Sequence, residues 1–254
     1  MIQTPDHRPR YPEGGNGMAE NLVLVEKERN IAVVALNRES KRNALSIELR
    51  KQLTESLGEL ARDREIKVAI LTGKGSVFSA GFDTSEFMGL TPEKIQAFFE
   101  ESFQYHIDVI TFPKPLLAAV NGPALAGGFD LALMCDFRIA SEAAFFQHPE
   151  IKFGVTPLYH VLKPVVGEGL ARDLCFTGRR IEAPEALRIG LVNKVVPAEK
   201  VLAEARAQAE QISDSKLETL MAVKKWACTQ QICEISKELS KKSYPKEYKG
   251  AHGF

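Results

Sequence analysis

Cysteine is scarce in this chain, and what there is does not pair. Cys135, Cys175, Cys228 and Cys233 form no CxxC motif and join no histidine at zinc-ligand spacing. A disulfide framework and a metal site are therefore not expected. Free, buried thiols in a reducing compartment are, which predicts a cytoplasmic protein. Net charge is absent as well: 33 Lys and Arg balance 33 Asp and Glu. No overall field steers the chain to nucleic acid or a membrane surface, and no basic cluster interleaved with aromatics suggests RNA binding. Long apolar runs are also missing. The longest uncharged stretch, Pro115 to Phe129, is interrupted by Asn121, Gly122 and Pro123 and is too short to cross a bilayer. The opening MIQTPDHRPRYPEGGNGM has no hydrophobic centre, so it does not read as a secretory signal. Its Pro, Gly and Arg content predicts a flexible tail over residues 1–20, within which Met18 offers an alternative start. Internal repeats and low-complexity segments are lacking too.

What is present reads as a globular α/β chain. Its 44% hydrophobic and 26% charged residues suit a soluble core-forming protein. LVLVEKE (22–28) and IAVVALN (31–37) predict two strands joined by a tight turn at Arg29-Asn30. Ser46 opens a helix with Glu48 close behind and leucines at 49, 53, 57 and 60, which is helical spacing. VAILTG (68–73) and LLAAV (116–120) are buried strands, and a helix over 91–110 has Pro92 in its first turn. FRIAS and AAFFQ add two strands, and LVNKVV (191–196) is the last. Strands alternating with helices predict a buried sheet. After Gly154 the pattern is mainly helical, and a boundary near residue 197 separates a core over 21–196 from a C-terminal helical layer over 197–254. The final KKSYPKEYKGAHGF is expected to be extended.

The most informative segment runs from Ala118 to Gly154. Gly127-Gly128 stands at the mouth of an apolar run, FDLALMC, that reads as the start of a buried helix with Asp130 in its first turn. Glu150 follows after a strand-like run and a proline. A helix start leaves N–H groups free and carries partial positive charge, which suits an anion or a developing oxyanion. Two acids arriving at one place suggest proton transfer. On the residues alone, plainer readings compete. Asp130 can be a dipole-stabilising or capping acid. Glu150 can be a solvated turn residue, and the glycines can simply permit close packing. Phe82 reads as core, Asp83 as a turn or cap residue, and Arg179-Arg180 as a solvated face. His148 and His160 read as structural or exposed, since no nucleophile or ligand set accompanies them.

Five pieces in register resemble the crotonase superfamily, the enoyl-CoA hydratases and isomerases. They are NRESKRNALS (37–46), VAILTGKGSVFSAGFD (68–83), AAVNGPALAGGFDLALMCD (118–136), AFFQHPEIKFG (145–154, with Ala144 before it) and FTGRRIEAPEALRIGLVNKVV (176–196). The resemblance implies a ββα spiral core, a helical C-terminal layer, and a homotrimer often paired into hexamers. It implies a CoA thioester as substrate and no further cofactor. It puts the oxyanion-hole donors on the Phe82 and Gly127 backbone, a substrate-binding strip on Phe82, Asp83, Thr84 and Ser85, and the catalytic carboxylates on Asp130 and Glu150. Lys41-Arg42-Asn43 falls where the family approaches the CoA nucleotide. Phe87, Phe98, Phe99, Phe103 and Tyr159 are candidates to shape the acyl pocket.

The chain departs from the usual hydratase pattern. Asp130 stands where hydratases carry Glu, which resembles the dienoyl-CoA isomerase branch. Leu158 stands where that branch carries a third acid, and the tail after Trp226 is short. Hydration at a 2,3 double bond is the leading expectation, with Asp130 and Glu150 sharing the proton work. The alternative is an isomerase using Glu150, with or without Asp130, as proton shuttle. A third class, a non-catalytic acyl-CoA or RNA binder, is disfavoured by the retained acids and the neutral charge.

Overall fold

The structure, a computed structural model, describes residues 21–88 and 90–240. The expected N-terminal tail and the final polar segment lie outside them. Six strands form the main sheet: β1 (Val23–Glu28), β2 (Ile31–Leu36), β3 (Val68–Gly73), β4 (Leu116–Val120), β6 (Phe137–Ser141) and β9 (Lys194–Val196), in that spatial order. β1 is antiparallel to β2, and the remaining pairings are parallel. A parallel sheet covered on both faces needs apolar residues at every position. β2, β3 and β4 are accordingly buried throughout.

Alternation along each strand sorts the two faces. Ala32, Val34, Leu36, Ala69, Leu71, Leu116 and Ala118 enter the larger core. Ile31, Val33, Val68, Ile70, Leu117 and Ala119 face the smaller one. That second face is closed by helix α7 (Val201–Ser213) through Val201, Ala205 and Ala209. The helical layer past residue 197 thus supplies one cover of the sheet itself. Helix α1 (Ile47–Arg62) forms as its sequence predicts. Ser46 Oγ accepts from the Leu49 N–H at 3.2 Å, and Leu49, Leu53, Leu57 and Leu60 are buried.

A second sheet holds β5 (Ala124–Leu125), β7 (Phe145–Gln147) and β8 (Ile181–Glu182), with β7 central. Single bridges extend it from Ser79 to Ala124 and from Leu45 to Phe82. Each turn of the spiral places a strand in the large sheet, a short strand or bridge in the small one, and then a helix. β3 leads through Ser79–Phe82 to α2 (Pro92–Ile110); β4 leads through β5 to α3 (Gly127–Leu133); β6 leads through β7 to α4 (Tyr159–Val166). Helices α5 (Glu168–Thr177) and α6 (Ala183–Arg188) follow, and α8 (Leu217–Ser240) comes last.

Candidate active site

The small sheet decides what meets what. β5 and β7 run parallel with Leu125 opposite Gln147, so the chain leaving each strand emerges on the same side. One exit carries Gly127 and Asp130. The other carries His148 and Glu150.

The backbone donors come first. The Leu45 N–H donates to Gly81 O at 2.8 Å, and the Asp83 N–H donates to Leu45 O at 3.4 Å. In a parallel bridge of this kind the middle residue's own polar groups point away from the partner. The Phe82 N–H therefore faces away from Leu45 and has no backbone acceptor among the described residues. Alongside it lies Gly127: a β-carbon built on Gly81 would stand 3.2 Å from Gly127 N. Ala126, immediately before, has φ 48° and ψ −127°. That conformation costs an L-residue about 1–3 kcal/mol. It is held by the Ala126 N–H, which donates to Gln147 O at 2.9 Å. The strained residue turns the chain so that Gly127 starts α3 with its N–H unused by the helix. The close-packing reading applies to both glycines: a β-carbon on Gly128 would come within 2.5 Å of Ser79 O, and one on Gly127 within 2.9 Å of Phe82 Cε2.

The carboxyls converge. Asp130 is 4% exposed. Its Oδ1 lies 3.0 Å from His148 Nε2. Glu150 sits in a 3-10 turn over Pro149–Phe153. Its Oε2 is buried and has no hydrogen-bond partner among the described residues, so it is no solvated turn residue. One ligand atom each of Asp130, His148 and Glu150 lie within 4.8 Å of one another. His148 itself is fully buried, against the Phe129 ring at 4.5 Å between centroids. The expectation that no partner set accompanies His148 fails here. The cause is tertiary: the pairing of β5 with β7 brings together residues 18 apart in sequence.

These groups set one another's ionisation. Burial raises the Glu150 carboxyl; His148 opposes the rise and Asp130 adds to it, and the balance lifts Glu150 from 4.5 to about 7. Burial alone would lower His148. The Asp130 charge and hydrogen bond outweigh it, with smaller contributions from Cys175 and Glu150, and push it up to about 10. Near neutral pH Glu150 is thus partly protonated, beside a His148 that Asp130 draws toward its charged form. The three atoms are also close enough to hold a cation. A metal needs its histidine deprotonated, and Asp130 favours the opposite state.

The remaining residues divide clearly. Asp83 caps a 3-10 turn over Thr84–Glu86, accepting from the Ser85 N–H at 3.1 Å and from Arg38 at 2.6 Å. Thr84 and Ser85 are exposed. Lys41 and Arg42 are exposed, but Asn43 is fully buried and spends its side chain on the Arg38 N–H, Lys74 O and Val77 O. It fastens the loop after β3 and is not available to a nucleotide. Phe82, Phe87 and Phe98 form an aromatic cluster with centroid spacings of 5.9 and 5.2 Å; the Phe99 side chain is outside the described set. Leu158 and Tyr159, at the start of α4, pack against the larger core. Arg179 pairs with Asp173 and Glu185 on the surface.

Two site neighbours escaped the sequence reading. Arg50 on α1 is fully buried, bonds Leu45 O and Glu101, and lies 4.9 Å from both the Phe82 and Phe98 ring centroids. His106 on α2 lies 5.8 Å from the Phe82 ring, and burial pushes it down to about 4, so it is neutral. Both sit at helical spacing on otherwise apolar faces, where a polar residue first looks exposed.

A spiral of strand–strand–helix units, with two N–H groups that have no backbone acceptor among the described residues beside a converging pair of carboxyls, defines an enzyme of the crotonase fold. The chain belongs to the enoyl-CoA hydratase/isomerase family, whose model matches residues 26–241. It is similar to the short-chain-enoyl-CoA hydratase of Clostridium acetobutylicum, 41% identical over 77% of this chain and 76% of that protein. It is also similar to the crotonyl-CoA hydratase of Syntrophomonas wolfei, at 37% identity over 77% and 76%. Among solved structures, an enoyl-CoA hydratase/isomerase from Xanthobacter autotrophicus superimposes with a TM-score of 0.80 at 31% identity, covering 87% of this chain and 84% of that one.

Proposed function

We propose that the chain is an enoyl-CoA hydratase that adds water across the 2,3 double bond of an acyl-CoA thioester. The observation that carries this reading is the buried, unpartnered Glu150 Oε2 beside Asp130. The thioester carbonyl accepts from the Phe82 and Gly127 N–H groups, which stabilise the charge that develops on its oxygen; one such donor is typically worth about 2.7–4 kcal/mol. Protonated Glu150 gives its proton to Cα. The resulting carboxylate takes a proton from a water held against Asp130, and that water's oxygen bonds to Cβ. One water is added, and Glu150 returns to its starting form. The reaction so written needs no group beyond the chain and its substrate. Phe82 to Ser85 form the strip along which the thioester lies, and the Phe87–Phe98 cluster borders the acyl chain.

The same chemistry offers an isomerase, in which Glu150 alone carries a proton from one carbon to another. The aspartate at position 130, one methylene shorter than the glutamate of the usual hydratase pattern, is what favours that reading. Crotonyl-CoA in heavy-oxygen water separates the two. The hydratase loses enoyl absorbance and gains one heavy oxygen. An isomerase leaves crotonyl-CoA unchanged and converts a 3-enoyl-CoA with no heavy oxygen gained.

The chain acts as a homotrimer or a pair of trimers. Exposed Trp226 and Val223 on α8 support an interface there. Its place is the cytoplasm, which free Cys135, Cys175 and Cys228 support. Among the described residues no helix is long and apolar enough to cross a membrane, and the balanced charge gives no pull toward nucleic acid.

A further inference from the structure

His148 has no part in the reaction as written, yet it is the nearest side chain to Asp130. We propose that His148 is a positioning residue of this site: it donates from Nε2 to Asp130 Oδ1, fixes that carboxylate as the stationary partner of the water, and leaves Glu150 as the group that gives and takes the proton. The inference rests on the hydratase reading and deepens it.

Geometry carries the assignment. The Nε2–Oδ1 separation is 3.0 Å, with side chains 0% and 6% exposed. A hydrogen bond between ionised partners in such a setting is roughly twice as strong as a neutral one. The imidazole has little freedom to leave it. Phe129 packs at 31° to its plane. The backbone behind it is backed by the end of α5, where a β-carbon on Gly178 would come within 2.7 Å of His148 O. With Oδ1 engaged, only Oδ2 of Asp130 remains for a water. A carboxylate one methylene shorter than glutamate has fewer ways to turn, and the bond to His148 fixes which oxygen faces the substrate.

The assignment also divides the proton work. The titratable groups that face His148 are Asp130 on α3, Glu150 in the 3-10 turn and Cys175 on α5. The His148 charge draws Glu150 downward against the effects of burial and of Asp130. Without that charge, two buried carboxyls would share a proton more tightly, and Glu150 would hold its proton to higher pH. His148 therefore keeps Glu150 in the range where it can exchange a proton near neutrality.

Two substitutions separate position from charge. His148→Gln keeps a donor and removes the charge; His148→Leu removes both. Misplacing a reacting group by about 1 Å can cost 10²-fold. His148→Leu is expected to lower kcat by about 10²-fold with KM little changed, and His148→Gln to recover most of that loss. In both, the limb of the kcat profile that Glu150 sets moves to higher pH. An unmoved limb, or equal kcat in both variants and the parent, overturns the proposal. Nitrogen-15 imidazole spectra of the full chain provide a readout independent of turnover, with the His148 signal identified by its loss in His148→Gln. His148 is expected to stay protonated at pH 8 and to lose that proton in Asp130→Asn. A His148 whose Nε2 carries no proton at pH 7 overturns the proposal even if a variant fails to fold. If the parent hydrates no 2-enoyl thioester while these spectra hold, the hydratase reading fails and the Asp130–His148 tie stands.

Discussion

Phe82 occupies the space that a side chain on Gly127 would need. A β-carbon built there would come within 2.9 Å of Phe82 Cε2. Phe82 and Gly127, whose N–H groups have no backbone acceptor among the described residues, are thus packed directly against each other. Gly127→Pro removes one N–H and adds a ring where Phe82 already stands. Turnover is expected to fall by at least about 10²-fold, the usual cost of one oxyanion donor. Affinity for a CoA thioether, which lacks the carbonyl, reports separately on whether the pocket survives. Loss of turnover with thioether binding intact fits the donor role. Surviving turnover puts the donor elsewhere.

Glu150→Gln keeps the size of the side chain and removes its proton chemistry. Its expected effect is a loss of about 10²–10⁴-fold in kcat. Thermal stability should not fall, because the orphaned Oε2 gives the native state no hydrogen bond to lose. Near-normal turnover in folded protein would remove Glu150 from the mechanism.

The pH dependence follows from the same carboxyl. Protonated Glu150 starts the reaction, so kcat should decline as pH rises through about 7. Stability has its own sign. A native value raised from 4.5 to about 7 favours folding below pH 4.5, and that contribution is lost as pH rises to 7. His148, raised from 6.5 to about 10, contributes fully below 6.5, and its share is lost on the way to 10. Urea titrations of the parent and Glu150→Gln between pH 5 and 7 should therefore diverge, the variant losing less stability over that interval. Parallel curves would contradict the raised value.

Arg50 is a stability prediction. It is fully buried, while its partner Glu101 is about a quarter exposed. Removing one member of a buried pair strands the other and costs about 3–5 kcal/mol, toward the lower end where the stranded group reaches solvent. Arg50→Met should lower unfolding free energy by about 3 kcal/mol in urea titration. It should also alter KM, since the guanidinium lies over the Phe82 and Phe98 rings. A change below about 1 kcal/mol would mark the pair as energetically idle.

How much of this was legible in the chain differs by element. Helix α1 was readable from Ser46 and the leucine spacing, and α2 from Pro92, because local chemistry determines both. The strands of the main sheet were readable as apolar runs. β5 and β8 were not: strands of two residues have no periodicity and exist only through pairing with β7. That pairing is also what joins His148 to Asp130, so the histidine's role was invisible until the register was known. Asp83 shows the reverse case. Its capping role was readable from local sequence, and Ser85 N–H and Arg38 now account for its carboxylate.

Asp130 decides between hydration and isomerisation. Hydration needs a water held in place as well as a group to move a proton, whereas shifting a double bond needs only the latter. Asp130→Asn keeps the shape, removes the charge that holds His148 protonated, and weakens the grip on water. It should remove most hydration of a 2-enoyl thioester while leaving thioester affinity nearly unchanged. An isomerase that uses Glu150 alone should tolerate the change far better on a 3-enoyl thioester. Asp130→Glu tests the room available: the site is closed by His148 and Phe129, so the added methylene is expected to cost about 1–3 kcal/mol of stability by overpacking. Combining Asp130→Glu with His148→Gln opens space on the side where Oδ1 is now held, and should recover hydration relative to Asp130→Glu alone. The measurement is turnover of the parent and these variants on 2-enoyl and 3-enoyl thioesters of matched chain length. Hydration undiminished in Asp130→Asn would reduce Asp130 to a structural partner of His148 and leave Glu150 as a single-base isomerase catalyst.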